Sequence, residues 1–200
     1  MNWNKVVTRA INILVQPNAE WPIIKQEETD LATLYLQYVA ILALIPAVAG
    51  FIANAFVGTL TAGRIETGAA LGAAVMGYVL SLIMVFVVAL IADSLAPKFG
   101  GRKNVDRALK LVAYSMTASW VAGAFVIIPV LGWLISLLGG LYALYLFYLG
   151  APVLMRVPEA KTIGYTAVTV AIAIVIGFVL GMLVAAFFGV SGMMGGIGRI

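Results

Sequence analysis

Four stretches of this chain, residues 31–63, 67–92, 111–155 and 162–198, contain no Asp, Glu, Lys or Arg. No other feature constrains the fold as tightly. A helix needs about 20 apolar residues to cross about 30 Å of hydrocarbon, so the first, second and fourth runs each suffice for one crossing. The third holds 45 residues, enough for two crossings with a reversal at "IIPVLGW", where Pro129 and Gly132 flank a few residues free to leave the helix. The expected fold class is an all-α polytopic membrane protein. It is a five-helix transmembrane bundle with spans near 32–57, 69–92, 110–128, 132–154 and 162–188, preceded by an N-terminal amphipathic helix. The expected organisation is a cytoplasmic juxtamembrane segment over 1–30, the membrane domain over 31–190 and a flexible Gly-rich tail over 191–200.

Composition agrees. The chain is 64% hydrophobic and 10% charged, against about 45–50% and about 25% in soluble domains. Too little polar surface exists to wrap the apolar excess in water. The first 30 residues hold no continuous apolar stretch of the kind that marks a cleavable leader, so none is expected.

The basic residues set the expected orientation. With five spans, ten of the twelve fall on one side: Lys5, Arg9, Lys25, Lys98, Arg102, Lys103, Arg107, Lys110, Arg156 and Lys161. Only Arg64 and Arg199 fall on the other. The N-terminus and the basic loops are therefore expected on the cytoplasmic side, with the C-terminus outside.

In "NWNKVVTRAINILVQP" an apolar stripe of Trp3, Val6, Val7, Ala10, Ile13 and Leu14 opposes Asn4, Lys5, Thr8, Arg9, Asn12 and Gln16. Such a helix either lies among inner-leaflet headgroups or packs on the ends of the bundle; both need the same stripe. Trp3, Lys5 and Arg9 are candidate lipid- or partner-facing residues. Pro17 ends this helix, and Glu20, Glu27, Glu28 and Asp30 lead into the first span. They are placed to favour the positive end of its dipole and to meet Lys98, Arg102 or Arg107.

Small residues recur every fourth position within the spans. The candidate helix-packing glycines are Gly77, Gly123, Gly140, Gly177 and Gly181. Such rows let helix backbones approach, which matters where lipid gives helices no hydrophobic reason to associate. The row of the fifth span serves packing within the subunit or against a second copy equally well.

Most catalytic chemistry lacks its parts. There is no His and no Cys, which removes the usual zinc, copper and iron ligands and histidine-activated nucleophiles. No carboxylate lies inside a span, and Asp93 sits at the end of the second, where a solvated terminus is expected. No enzyme activity, metal, cofactor or nucleic-acid partner is expected. The interior polar groups are chiefly hydroxyls; Ser119, Tyr142 and Tyr145 are candidates to line a pore or lipid groove, with packing as the competing role.

The interruption "LAPKFGGRKN", residues 95–104, lacks the strand-loop-helix setting of a phosphate loop. It reads as a topology determinant and turn, with Gly100 and Gly101 at the reversal and Asn104 as cap of the third span. Lys98, Arg102 and Lys103 are candidate contacts for anionic lipid, worth about 1 kcal/mol each near a charged surface.

The wording "LAPKFGGRKNVDRALKLVAYSMTASWVAG", followed by "LGGLYALYLFYLGAPVLMRVPEAKTIGYTAV", resembles the bacterial branch of the Yip family of Ypt/Rab-interacting membrane proteins. Its most specific pieces are the FGG loop, Tyr114, Ser115, Thr117 and Trp120, the "LYALYLFYLGAPVLM" run, and Lys161, Gly164 and Tyr165. The resemblance covers about residues 13–180 and implies five spans with a cytoplasmic N-terminus. Eukaryotic relatives work in membrane trafficking through small GTPases and one another. Their acidic "DLYGP" signature and long N-terminal region have no match here, so a GTPase partner is not carried over. The expected function is a non-enzymatic scaffold or membrane organiser that self-associates and contacts lipids and other membrane proteins. The alternative is a passive channel or transporter for a small solute or lipid.

Overall fold

The computed structural model describes residues 3–28, 30–58 and 63–197, with side chains through Met182 in the last helix. Two short helices, α1 (Trp3–Val15) and α2 (Pro17–Gln26), precede the bundle. The spans follow as α3 (Leu31–Val57), α4 (Thr67–Phe99), α5 (Val105–Ile127), α6 (Leu131–Met155) and α7 (Glu159–Ile197). The tail expected over 191–200 begins beyond the described side chains, and 198–200 lie outside the described residues.

Local chemistry explains the boundaries. Asp30 caps α3 by accepting from the Thr33 amide at 3.0 Å, and Asn104 caps α5 by accepting from the Arg107 amide at 2.8 Å. Glu66 caps α4 through the Gly68 and Ala69 amides, which hold its exposed carboxyl below the usual range. Pro17 does more than end α1: with its fixed φ and absent N–H it opens α2 in a first-turn position. Between α5 and α6 the Leu131 amide donates to the Pro129 carbonyl at 2.8 Å. This tight turn leaves Val130 at φ 68°, a conformation that costs a β-branched residue about 1–3 kcal/mol.

The most enclosed span is α5, which packs against α3, α4 and α6. Close approach is set by small residues at particular places. A Cβ on Gly123 would stand 2.7 Å from the Pro46 side chain of α3, and one on Gly139 of α6 would strike Ala122 and Ala118. Gly150 lies under Trp21 of α2 and Leu111 of α5.

The packing register differs from the expected one. Of the candidate glycines, Gly123 is tightly enclosed and Gly177 only touches Met84 at 3.8 Å; Gly77, Gly140 and Gly181 have nothing within 4 Å. In α6 it is Gly139, not Gly140, that faces α5. A span that is apolar all round does not declare its inward face, because lipid and protein interior are alike in polarity.

Tyrosine hydroxyls brace the helices through backbone carbonyls. Tyr78 of α4 donates to Ala40 of α3 at 3.0 Å, and Tyr165 of α7 donates to Ala92 of α4 at 2.8 Å. Tyr35 of α3 reaches back to Leu82 of α4 in the same way.

Candidate lipid- and partner-facing site at the basic end

The N-terminal helices do not rest flat on the ends of the spans. Tyr142, the twelfth residue of α6, donates to the Leu14 carbonyl of α1 at 2.7 Å. Further along, Trp21 packs on Gly150, and Lys25 and Gln26 share a cleft with Leu154. Thus α2 runs beside α6 in the same direction. The α1–α2 corner lies roughly 20 Å in from Met155 at 1.5 Å per residue.

The apolar stripe of α1 is divided by this insertion. Val6, Ala10 and Ile13 are buried in the core, whereas Trp3, Val7, Ile11 and Val15 form an exposed row at four-residue spacing. Arg9, expected on the outer polar face, turns inward. Its side chain is 13% exposed and forms ion pairs with Glu20 of α2, 6% exposed, and with the more open Glu27. Of the four carboxylates expected to meet Lys98, Arg102 or Arg107, Glu20 and Glu27 are therefore held by Arg9 and Asp30 caps α3, while Lys110 donates to the Glu27 backbone carbonyl.

Beneath the pair, the guanidinium stands 5.9 Å over the centre of the Tyr114 ring, within cation–π range. Tyr114 meets Tyr38 edge-on at 4.8 Å, and the Tyr38 hydroxyl bonds Thr117 at 2.8 Å. This column of Tyr114, Tyr38 and Thr117 leads inward from Arg9, which alone of the four lines a polar cleft of about 860 Å³. The cleft wall carries Lys5, Arg9, Glu20, Glu27, Glu28 and Asp30, four acids against two bases. Glu20, Tyr38 and Thr117 were not expected as members of a site. The sequence signal for Glu20 is only an acid eleven residues after Arg9, too far for one helix turn to join them.

Two loops form the rest of this end. Gly100 takes φ 83° to turn the chain, and Gly101 is required by close approach instead, since a Cβ there would stand 2.7 Å from the Met155 carbonyl. The Arg102 amide donates to that carbonyl at 2.9 Å, tying the α4–α5 loop to the α6–α7 loop. Asp93, expected at a solvated helix end, is 6% exposed and accepts from the Asn104 amide at 2.6 Å. The tie gathers Lys98, Arg102 and Lys103 with Arg156 and Lys161. All five are exposed, and none forms an ion pair among the described residues. Arg156 takes φ 57° at the end of α6, which turns the chain sharply toward Pro158. The sequence offers Arg156 as a topology signal and Lys161 both as that and as part of the motif with Gly164 and Tyr165; the backbone tie makes both neighbours of the first loop.

The expected cavity residues separate. Ser119 is partly buried on α5, Tyr142 spends its hydroxyl on Leu14, and Tyr145 is exposed. None borders the polar cleft. A second cavity, of about 370 Å³ and almost wholly apolar, lies between α4, α5, α6 and α7 and is lined by Ser81, Ser115 and Thr169 among apolar side chains.

The pattern described as the Yip1 domain matches residues 11–181. The chain is 26% identical over 169 residues to "Inner membrane protein YohC" of Escherichia coli strain K12, covering 80% of this chain and 85% of that protein. The protein of the same name from Escherichia coli O6:H1 strain CFT073 matches equally. No solved structure matches significantly.

Proposed function

We propose, from the premise that this chain belongs to the Yip1 domain family, that it is a non-enzymatic organiser of the bacterial inner membrane. It gathers anionic lipid at its cytoplasmic face and associates with further copies of itself. The observation that carries this reading is the tie between the Arg102 amide and the Met155 carbonyl. It assembles Lys98, Arg102, Lys103, Arg156 and Lys161 into one exposed cationic surface. Such a surface beside membrane spans suits phosphate headgroups, at about 1 kcal/mol per basic residue. The charge asymmetry of the loops supports a cytoplasmic position for this surface and for the N-terminus.

The exposed row Trp3, Val7, Ile11 and Val15 belongs in the hydrocarbon of the same leaflet. A corner inserted from one side as far as about the middle of α6 displaces lipid chiefly in that leaflet, which is the physical basis of an organising role. Self-association is supported by Ala73 and Gly77 of α4, exposed small residues four apart on one face, with nothing of the described chain within 4 Å of a Cβ on Gly77, where a second helix can approach closely. Other membrane proteins can use the same surface.

The test is lipid retention. Protein extracted from vesicles of equal phosphatidylcholine and phosphatidylglycerol should carry phosphatidylglycerol in excess, measured by mass spectrometry of the co-purified lipid. Replacing Lys98, Arg102 and Lys103 together by Gln should remove that excess. Retention of the two lipids in proportion to their supply by the unaltered protein would refute the reading.

A further inference from the structure

The apolar cavity between α4, α5, α6 and α7 is not part of the cationic face. It contains no charged residue, and its rim includes the exposed side chains of Leu144 and Ile174, so it opens sideways toward lipid. Its volume of about 370 Å³ falls in the range of about 300–1,000 Å³ typical of small-molecule sites. An apolar pocket with a few convergent polar groups is the usual form of such a site.

Three hydroxyls from three spans reach this pocket. Ser81 and Thr169 satisfy themselves on their own helices, donating to the Tyr78 and Tyr165 carbonyls at 2.8 Å each. Ser115 does not. It is 3% exposed, and its hydroxyl has no hydrogen-bond partner among the described residues. A serine in a membrane helix ordinarily bonds back to a carbonyl of the preceding turn. Here α5 breaks immediately after it, with one helical stretch ending at Ser115 and the next starting at Thr117. The side chain is left as a donor on the cavity wall, and an unmet buried hydroxyl is costly.

Depth selects the ligand. Ser115 lines the same cavity as Ala143, the central residue of the 25-residue α6, about 18 Å from either end at 1.5 Å per residue and near the middle of about 30 Å of hydrocarbon. Phospholipids carry their ester carbonyls at the edge of that layer, while ring carbonyls on long isoprenoid chains dwell inside it. The wall also presents Met84, Met116 and Phe147, and thioethers favour contact with ring edges. We propose that this cavity binds an uncharged, membrane-dissolved carbonyl compound of the isoprenoid quinone type, with the Ser115 hydroxyl donating to its carbonyl.

The test uses the full-length protein in lipid nanodiscs, labelled with a photoactivatable azidoquinone and competed with decylubiquinone or with dioctanoylglycerol. Labelling should saturate, map to α5 and α7, and be displaced by decylubiquinone but not by the glyceride. Ser115→Ala should raise the half-competing concentration of decylubiquinone roughly tenfold, as loss of one hydrogen bond implies. Ala173→Leu, at a partly exposed position of the wall, should abolish specific labelling while leaving thermal unfolding unchanged. Labelling that does not saturate, that survives Ala173→Leu, or that is indifferent to Ser115→Ala would overturn the proposal. So would equal displacement by dioctanoylglycerol, which would make an ester lipid the occupant.

Discussion

The Tyr142 hydroxyl and the Leu14 carbonyl are 128 residues apart in sequence and 2.7 Å apart in space. Leu14 is next to last in α1, where carbonyls have no partner within their own helix. A tyrosine from the middle of α6 supplies one, and pins the inserted corner at that depth.

Tyr142→Phe removes this donor and leaves a carbonyl unmet in a dry setting, at about 1–3 kcal/mol. The bundle should stay folded while the corner loosens. Hydrogen exchange of the α1 amides should quicken, and exchange in α5 should not change. Equal acceleration in both would mean that the contact supports the whole bundle.

Arg9 and Glu20 form a pair in which both side chains are mostly buried. Arg9→Met strands the Glu20 carboxylate, and breaking one side of a buried pair costs about 3–5 kcal/mol. Removing both charges, with Arg9→Met and Glu20→Gln together, should restore much of that loss. The measurement is thermal unfolding in detergent through the full double-mutant cycle; additive losses would show that the two side chains are not coupled.

The register of α6 on α5 predicts opposite outcomes at adjacent glycines. Gly139→Leu must displace Ala118 and Ala122 and should be strongly destabilising, whereas Gly140→Leu meets nothing within the chain. In monomeric detergent complexes Gly140→Leu should unfold within a few degrees of the parent. A loss on Gly140→Leu as large as on Gly139→Leu would place the helix in the expected register instead.

Asp93 receives the Asn104 amide at 2.6 Å and so fixes the start of α5 relative to the end of α4. Asp93→Ala should free the loop that carries Lys98, Arg102 and Lys103, while Asp93→Asn keeps an acceptor and should retain most of its order. Trypsin cleavage after Lys103 should be faster in the alanine variant than in the asparagine variant. Equal rates would remove Asp93 from any positioning role.

The number, order and approximate limits of the spans follow from the sequence alone. Insertion in lipid depends on the absence of charge over about 20 residues, which is a property of each segment by itself. The Asn104 cap and the reversal at Pro129 are likewise local, since each depends on a few neighbouring backbone groups.

Everything that depends on which side of a helix faces inward was decided by the tertiary structure. Gly139 supplants Gly140, Asp93 is drawn into the loop, and Arg9 is enclosed with Glu20 and Tyr114 instead of facing lipid heads. The physical reason is shared. Hydrocarbon outside and side chains inside solvate an apolar face almost equally well, so hydropathy carries no sign for direction. Only the fit of small residues against bulky ones, and the need of each buried charge or hydroxyl for a partner from a distant part of the chain, selects one arrangement.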